Sequence, residues 1–176
     1  MNYPWYKKII KSGFLQQGDL IANCPIIIPP SLQISDKADI NAEVKELDVI
    51  ILSQSCDLEN DKISLVVVSP YLPISEFSKS LSAQGKNQKE IKRIIKDIKR
   101  GFNFGYHIIE KENDLLKECQ VVDFKNVYSV DLNLLRDYCD GIENRLRLLP
   151  PYREHLAQSF ARFFMRVGLP QNIEGC

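Results

Sequence analysis

Residues 48–71, DVIILSQSCDLENDKISLVVVSPY, carry the clearest structural signal in the chain. Two apolar runs, Val49 to Leu52 and Ile63 to Val68, flank a short polar segment within this stretch. Short runs of β-branched residues bounded by polar residues are typical of buried strands. We therefore predict two strands joined by a polar loop, at a place where functional sites are often built.

The sequence before this pair is also rich in β signals. Gly18-Asp19 is a turn signal ahead of Leu20-Ile21, and Pro25 to Pro30 encloses a run of isoleucines. Residues 31–46 predict a loop or a further strand around Ile40 to Val44. Residues 1–76 are accordingly assigned to a β core that resumes over residues 102–130.

A basic helix is predicted between the two parts of this core, within residues 77–101. Asn87 followed three positions later by Glu90 is the pattern of a capping box, and Gly101 suits a helix C-cap. An apolar stripe recurs at helical spacing through Ile91, Ile94, Ile95 and Ile98.

The remaining chain predicts two strands and two helices. Phe104 to Ile109 and Val121 to Val130 have the character of strands, and residues 131–170 are assigned to C-terminal helices. The first helix begins near Leu132, and the second follows Pro150-Pro151, since proline is well tolerated in the first turn. We expect the second helix to bury a wide apolar face: Leu156, Ala157, Phe160, Ala161, Phe163, Phe164 and Val167.

Length suits a single domain over residues 1–176, the composition is ordinary for a soluble globular protein, and the mixed strand and helix patterns predict the α+β class. Hydrophobic residues make up 44%, charged residues 26%, and the net charge is zero, so affinity for nucleic acid must come from local clustering. No apolar run approaches the roughly 18 residues that span a bilayer. The five cysteines are odd in number and widely spaced, which favours a reducing cytoplasm.

One face of the predicted basic helix concentrates positive charge. At about 100° per residue its cations fall within an arc of roughly 120°, opposite the isoleucines. Such a face can bind the phosphates of nucleic acid, lie on an anionic membrane or acidic partner, or simply be solvated. The exposed side carries no aromatic residues, which argues against membrane insertion. The candidate nucleic-acid-binding residues are Lys89, Lys92, Arg93, Lys96, Lys99 and Arg100.

The polar segment between the first two strands offers a catalytic alternative. Cys56 is a potential nucleophile, Asp57 a potential acid–base residue, and His107 a potential partner on a neighbouring strand. An adjacent carboxylate disfavours the thiolate, so Asp57 argues against a strongly nucleophilic Cys56. The competing interpretation is a packed structural thiol, with Asp57 bonding to the turn.

Metal and partner sites complete the candidates. Cys24, Cys56, Asp57 and His107 are suitable ligand types, but structural zinc sites usually pair ligands closely along the chain, so we predict no metal and no cofactor. In the tail helix, Arg162, Arg166 and Phe163 form a possible surface for a protein partner. The alternative is that this helix closes the domain's core.

The order of these pieces resembles the PemK/MazF-type toxin family of small SH3-like barrels that cleave RNA. About half the chain carries the resemblance, through QGDLI (17–21), VIILS (49–53), ISLVVVSP (63–70) and VVDFKNVYSVDLNLL (121–135). The family's arginine–proline pair has no counterpart, because Leu47-Asp48 stand there, and Ser69-Pro70-Tyr71 replaces its later threonine. The catalytic pair of the family therefore does not carry over.

The resemblance implies a small twisted antiparallel β-barrel, PemK-like, with an inserted basic helix and a C-terminal amphipathic helix. It also implies a bacterial toxin–antitoxin or phage-defence setting. Our leading hypothesis is a non-enzymatic cytoplasmic protein that binds nucleic acid through the basic helix or a protein partner through the tail helix, with no membrane role. The alternative is a hydrolase or ribonuclease-like enzyme using Cys56, Asp57 and His107.

Overall fold

The computed structural model describes residues 3–10, 13–28, 43–112 and 116–165. This part of the chain forms an eight-stranded antiparallel sheet with five helices, which confirms the α+β class. The strands are β1 (Tyr6–Ile10), β2 (Asp19–Ile28), β3 (Glu43–Ile51), β4 (Leu65–Pro73), β5 (Tyr106–Ile109), β6 (Gln120–Asp123), β7 (Tyr128–Asp131) and β8 (Asn144–Leu148). The helices are α1 (Ser55–Glu59), α2 (Ile74–Ala83), α3 (Gln88–Lys99), α4 (Leu132–Gly141) and α5 (Tyr152–Phe164).

The strands follow the order β1-β8-β2-β3-β4-β6-β5 across the sheet, and β7 pairs with β4 outside this path. Every pairing is antiparallel. Within the described ranges the path is open, with β1 and β5 at its ends. The closed, SH3-like barrel therefore stays a prediction.

The apolar runs Val49 to Leu52 and Ile63 to Val68 lie largely within strands β3 and β4, as predicted. Val49 and Ile51 face one core cluster, which includes residues of α4, whereas Ile50 and Leu52 face a second cluster that includes Leu156 of α5. Successive side chains of a strand point to opposite faces of the sheet. The run is continuously apolar because helices cover both faces at this point.

The Gly18-Asp19 turn is confirmed, and it holds a buried ionic network. Gly18 has a φ of +83°, and a Cβ there would lie only 3.0 Å from the Cβ of Leu148. Asp19 is fully buried and accepts hydrogen bonds from Arg145 Nε at 2.9 Å and from the Arg147 guanidinium at 2.9 Å. Arg145 is itself buried and also donates to the carbonyl of Phe14 at 3.2 Å. These bonds fasten the segment before β2 onto β8.

Four sequence predictions need correction. Residues 131–170, assigned to C-terminal helices, also contain strand β8 between α4 and α5. The polar loop after β3 contains a short helix, α1, whose last turn is held by Asn60 donating to the Cys56 carbonyl at 2.7 Å. The region 77–101 contains parts of two helices, because α2 precedes the basic helix α3. The single strand over 121–130 is two strands, β6 and β7, which pair with successive parts of β4.

The basic helix itself is confirmed at both ends. Asn87 Oδ1 accepts from the Glu90 amide at 3.0 Å, and Glu90 Oε2 accepts from the Asn87 amide at 2.9 Å, which makes the predicted capping box. Gly101 follows the helix with a φ of +70°, the left-handed conformation expected just after a C-cap. The ends of α3 are therefore fixed by local sequence.

The tail helix α5 begins after Pro151, as predicted, but it buries less than expected. Leu156 is fully buried, and Phe160 and Phe163 pack against the second cluster. Phe164, however, is 60% exposed, so the apolar face is not covered along its whole width. The predictions that involve residues 29–42 and Arg166, Val167, Gly168 and Pro170 lie outside the described residues.

Across the portion of the chain that the structure describes, none of the helices has the length and apolar character needed to cross a bilayer.

Candidate nucleic-acid interface

The six predicted cations of α3 form one exposed surface, which we call the basic face. It consists of Lys89, Lys92, Arg93, Lys96, Lys99 and Arg100, all exposed to solvent. The opposite side of α3 is anchored, because Ile91 and Ile98 are buried in a cluster shared with α2 and β6. A rigidly held helix thus presents its charges in a fixed arrangement.

The cations of the basic face are not held in ion pairs with carboxylates of the described residues. Of the two acidic residues on α3, Glu90 bonds to the Asn87 amide in the capping box. The face is therefore available to an external anion.

A cleft of about 600 Å³ opens at the C-terminal end of α3. Its walls come from α3, from β5 and the residues that follow it, and from α5, with Trp5 and Cys119 completing the lining. We call this feature the cleft. Its polar side chains are Lys99, Arg100, His107, Glu110, Cys119, His155, Gln158, Ser159 and Arg162.

The cleft is positively charged overall. Lys99 and Arg100 belong both to the basic face and to the cleft, and Arg162 adds a third cation from α5. Glu110 is the one carboxylate among the lining residues, so three positive charges and one negative charge leave a net charge of +2 when the histidines are not counted. Positive charge in a concave site attracts anions more strongly than on a flat surface.

Glu110 is bound to neighbouring groups rather than left free. The Cys119 Sγ donates to Glu110 Oε1 at 3.2 Å, and the Lys111 amide donates to the same oxygen at 3.1 Å. The thiol bond first, and the amide bond second, hold the pKa of Glu110 below its ordinary value. Burial and the Glu110 bond raise the pKa of Cys119, so this thiol acts as a donor and not as a thiolate.

His107 lies on β5 as the sequence predicted, and it lines the cleft. Its ring is 6.3 Å from that of the fully buried Phe124. Burial, with the charge of nearby His155 adding to it, lowers the pKa of His107 to about 4. The imidazole is therefore neutral at physiological pH and can both donate and accept a hydrogen bond.

The depressed pKa of His107 predicts acid sensitivity. The unfolded chain binds a proton at His107 below about pH 6.5, whereas the folded protein takes it up only near pH 4, so stability falls between these values. We expect His107→Gln to lessen this loss by on the order of 2 kcal/mol. Urea unfolding at pH 7 and pH 4 measures it, with His155→Gln as the exposed control. Parallel losses in wild type and His107→Gln would contradict the assignment.

Cys56 and Asp57 lie apart from His107. Cys56 is exposed in the first turn of α1, and its Sγ lies 3.7 Å from Asp57 Oδ1. The sheet places β4 and β6 between β3, which precedes α1, and β5, which carries His107. No hydrogen bond among the described residues joins Cys56 to a histidine. Among the described residues the thiol has a carboxylate neighbour and no histidine bonded to it, so the arrangement does not favour nucleophilic catalysis.

The predicted partner surface on the tail helix is divided by the structure. Arg162 is exposed and lines the cleft, on the same side as the end of the basic face. Phe163 instead packs towards Phe124, with their ring centroids 6.4 Å apart. The third residue of that surface, Arg166, lies outside the described residues. Arg162 is therefore near the end of the basic face and becomes a further candidate for nucleic-acid binding.

Sequence reasoning missed the residues that complete the cleft. Trp5, Glu110, Cys119, Gln158 and Ser159 come from segments far apart in the chain, and no local motif marks them. His155 lies on α5, and nothing in the sequence links it to His107. In the described ranges, no group of three or more histidine, cysteine or acidic residues is arranged to hold a metal ion.

Comparison with known proteins adds no assignment to this geometry: no family model matches the chain, and no curated protein matches it.

Proposed function

We propose that this protein is a non-enzymatic module that binds nucleic acid through the basic face of α3. The observation that supports this most is the set of six exposed cations on one side of a helix whose other side is buried. Lysine and arginine in such a row bind backbone phosphates and release counterions, which makes affinity fall steeply with salt. Two of the six are arginines, which bind phosphate with two parallel hydrogen bonds.

Charge reversal tests this proposal. We expect the combined change of Lys92, Arg93, Lys96 and Arg100 to glutamate to abolish salt-sensitive binding of a fluorescent single-stranded RNA. Because each phosphate-contacting cation contributes about one unit to the salt dependence, single neutralisations should lower that slope by roughly one each. Fluorescence anisotropy across a salt series measures both effects.

A matched control separates the basic face from overall charge. Lys7, Lys8, Lys62 and Lys79 are exposed lysines outside α3, and reversing all four changes the net charge by the same amount. This variant should retain most of the binding and its salt slope. Equal loss in the two variants would reject the basic face as the binding site and leave only a general charge effect.

A protein partner is the second candidate, and an apolar groove favours it. The groove has a volume of about 410 Å³ and includes Leu65, Val67, Phe160 and Phe164. Phe164 and Met165 are 60% and 77% exposed at its end of α5. Capture of a protein from native lysate that survives nuclease treatment and is lost in Phe164→Asp would favour this candidate over nucleic acid.

The resemblance to the PemK/MazF-type family adds two further features to this proposal. A closed SH3-like barrel and a toxin–antitoxin or phage-defence setting agree with a small nucleic-acid-binding protein. They rest on the residue pattern of 17–21, 49–53, 63–70 and 121–135 alone. Fold by itself does not define function, so the RNA-binding experiment decides first.

A further inference from the structure

The basic face leads directly into the cleft. Lys99 and Arg100 form the last turn of the face and part of the lining of the cleft. A helix of this length extends about 18 Å, enough for several consecutive phosphates of a strand. Beyond its end stands α5, which supplies Arg162 and His155 to the opposite wall. A strand that follows the basic face therefore meets a walled cleft.

The charge of the cleft fits a phosphate monoester better than an internal phosphodiester. An internal phosphate of a nucleic acid carries one negative charge, whereas a monoester carries about 1.5 to 2 near neutral pH. Three cations converge in the cleft, and subtracting the charge of Glu110 leaves +2. Glu110 opposes any anion, but its hydrogen bonds from Cys119 and Lys111 satisfy one of its oxygens.

The rest of the lining suits a single nucleotide. Trp5 is stacked on Tyr152 at 3.6 Å, with an angle of 9° between the rings, so its indole is held in a fixed orientation. Aromatic side chains of this kind provide stacking surfaces for bases. Gln158 and Ser159 add polar groups that can hydrogen-bond to a base or sugar. The volume of about 600 Å³ lies within the usual range for small-molecule sites.

We infer that the cleft binds the terminal nucleotide of a strand, with its terminal phosphate on Lys99, Arg100 and Arg162 and its base beside Trp5. This inference rests on the proposed function, because the basic face delivers the strand end to the cleft. The group that the cleft would recognise is a phosphate monoester at the end of a strand. Whether that end is the 5′ or the 3′ end is decided by the experiment.

The experiment compares one short single-stranded RNA in three forms: with a 5′-phosphate, with a 3′-phosphate, and with hydroxyl groups at both ends. We expect one phosphorylated form to bind roughly ten-fold more tightly than the hydroxyl form, the effect of one additional charge-assisted contact. Arg162→Gln should remove this preference, so that the phosphorylated and hydroxyl forms bind with similar affinity. Arg162 is exposed, so the substitution leaves the fold intact.

Arg93→Gln is the matched control, because Arg93 lies on the basic face and outside the cleft. It should weaken all three forms by a similar factor and keep the preference for the phosphorylated end. Equal affinity of the three forms in wild type would overturn the inference while leaving the proposed function standing. So would a preference that survives Arg162→Gln.

A second measurement addresses the cleft without the basic face. Adenosine 5′-monophosphate should shift the NMR signals of His107 and the Trp5 indole, and adenosine without phosphate should shift them much less. If no RNA form binds, the proposed function is wrong, and the titration with adenosine 5′-monophosphate then tests nucleotide binding by the cleft independently. Absence of any shift with the monophosphate would overturn the cleft as a nucleotide site.

Discussion

Replacing Asp19 with alanine is expected to destabilise the protein by about 3–5 kcal/mol, the usual cost of removing one partner from a buried ion pair. The Asp19 carboxylate is fully buried and is the ionic partner of both Arg145 and Arg147. Its loss leaves the Arg145 guanidinium buried with only carbonyl partners. A buried cation without a counterion carries most of this penalty. The free energy of unfolding, obtained from urea titration, measures the effect.

Asp61→Asn provides the matched control. Asp61 also pairs with an arginine, since its Oδ1 lies 2.8 Å from Arg136, but its side chain is 70% exposed. Exposed pairs contribute about 0–1 kcal/mol, so this substitution should change stability little. Similar losses in the two variants would mean that burial does not govern the Asp19 network.

Replacing Phe124 with alanine is expected to cost about 3–5 kcal/mol, the range measured for truncation of buried aromatic residues. Phe124 is fully buried between the sheet and the tail helix. Its ring lies 5.3 Å from that of Phe160 on α5 and 6.3 Å from that of His107 on β5. The cavity left by alanine would therefore remove packing from both walls of the cleft.

Urea unfolding and limited proteolysis of α5 measure this effect. Phe102→Ala is the control, because Phe102 is 70% exposed and its truncation should change stability by less than about 0.5 kcal/mol. If Phe124→Ala lowered stability no more than Phe102→Ala did, Phe124 would not be the residue that joins α5 to the sheet.

The sequence predicted the elements whose signals are local. The capping box of Asn87 and Glu90 marked the start of α3 within one residue. The β-branched runs of β3 and β4 were recognisable because both faces of the sheet are covered there. A continuous apolar run is visible in the local sequence, so such a strand can be predicted without knowing how the rest of the chain folds.

Helix α2 was missed because its sequence carries weak signals. ISEFSKSLSA has four serines, which favour helices little, and its N-cap residue, Pro73, offers no capping side chain. The Ser75 amide donates instead to the carboxylate of Glu118 at 3.0 Å, a residue distant in the sequence. Its buried residues, Phe77 and Leu81, are only two, so the apolar stripe is short. Packing against α3 and the sheet stabilises this helix, and local sequence does not show such packing.

The prediction of a single strand over 121–130 was wrong for a different reason. Alternation continues on both sides of residues 124–127, so the sequence alone reads as one strand. The partner strand shows the break: Tyr71 pairs with Val122 and Val68 pairs with Tyr128, which leaves extra residues on one side. Phe124, within that break, turns into the core instead of continuing the ladder.

In the candidate site, too, local features were predictable from the sequence and long-range contacts were not. Lys99, Arg100, His107 and Arg162 were each identified from the sequence, but their meeting in one cleft depends on long-range pairing. β5 reaches the cleft through its pairing with β6, and Trp5 reaches it by stacking on Tyr152, which is far away in the chain. No periodicity or motif encodes such encounters.

The position of β8 governs the order in which the sheet can be assembled on the ribosome. Strand β2 is made early, yet its second neighbour, β8, comprises residues 144–148, and among the described strands β1 pairs with β8 alone. Until that late segment emerges, one edge of β2 has open amide and carbonyl groups, and β1 has no place in the sheet. Such edges recruit other strands, so a nascent chain halted before β8 should be prone to association.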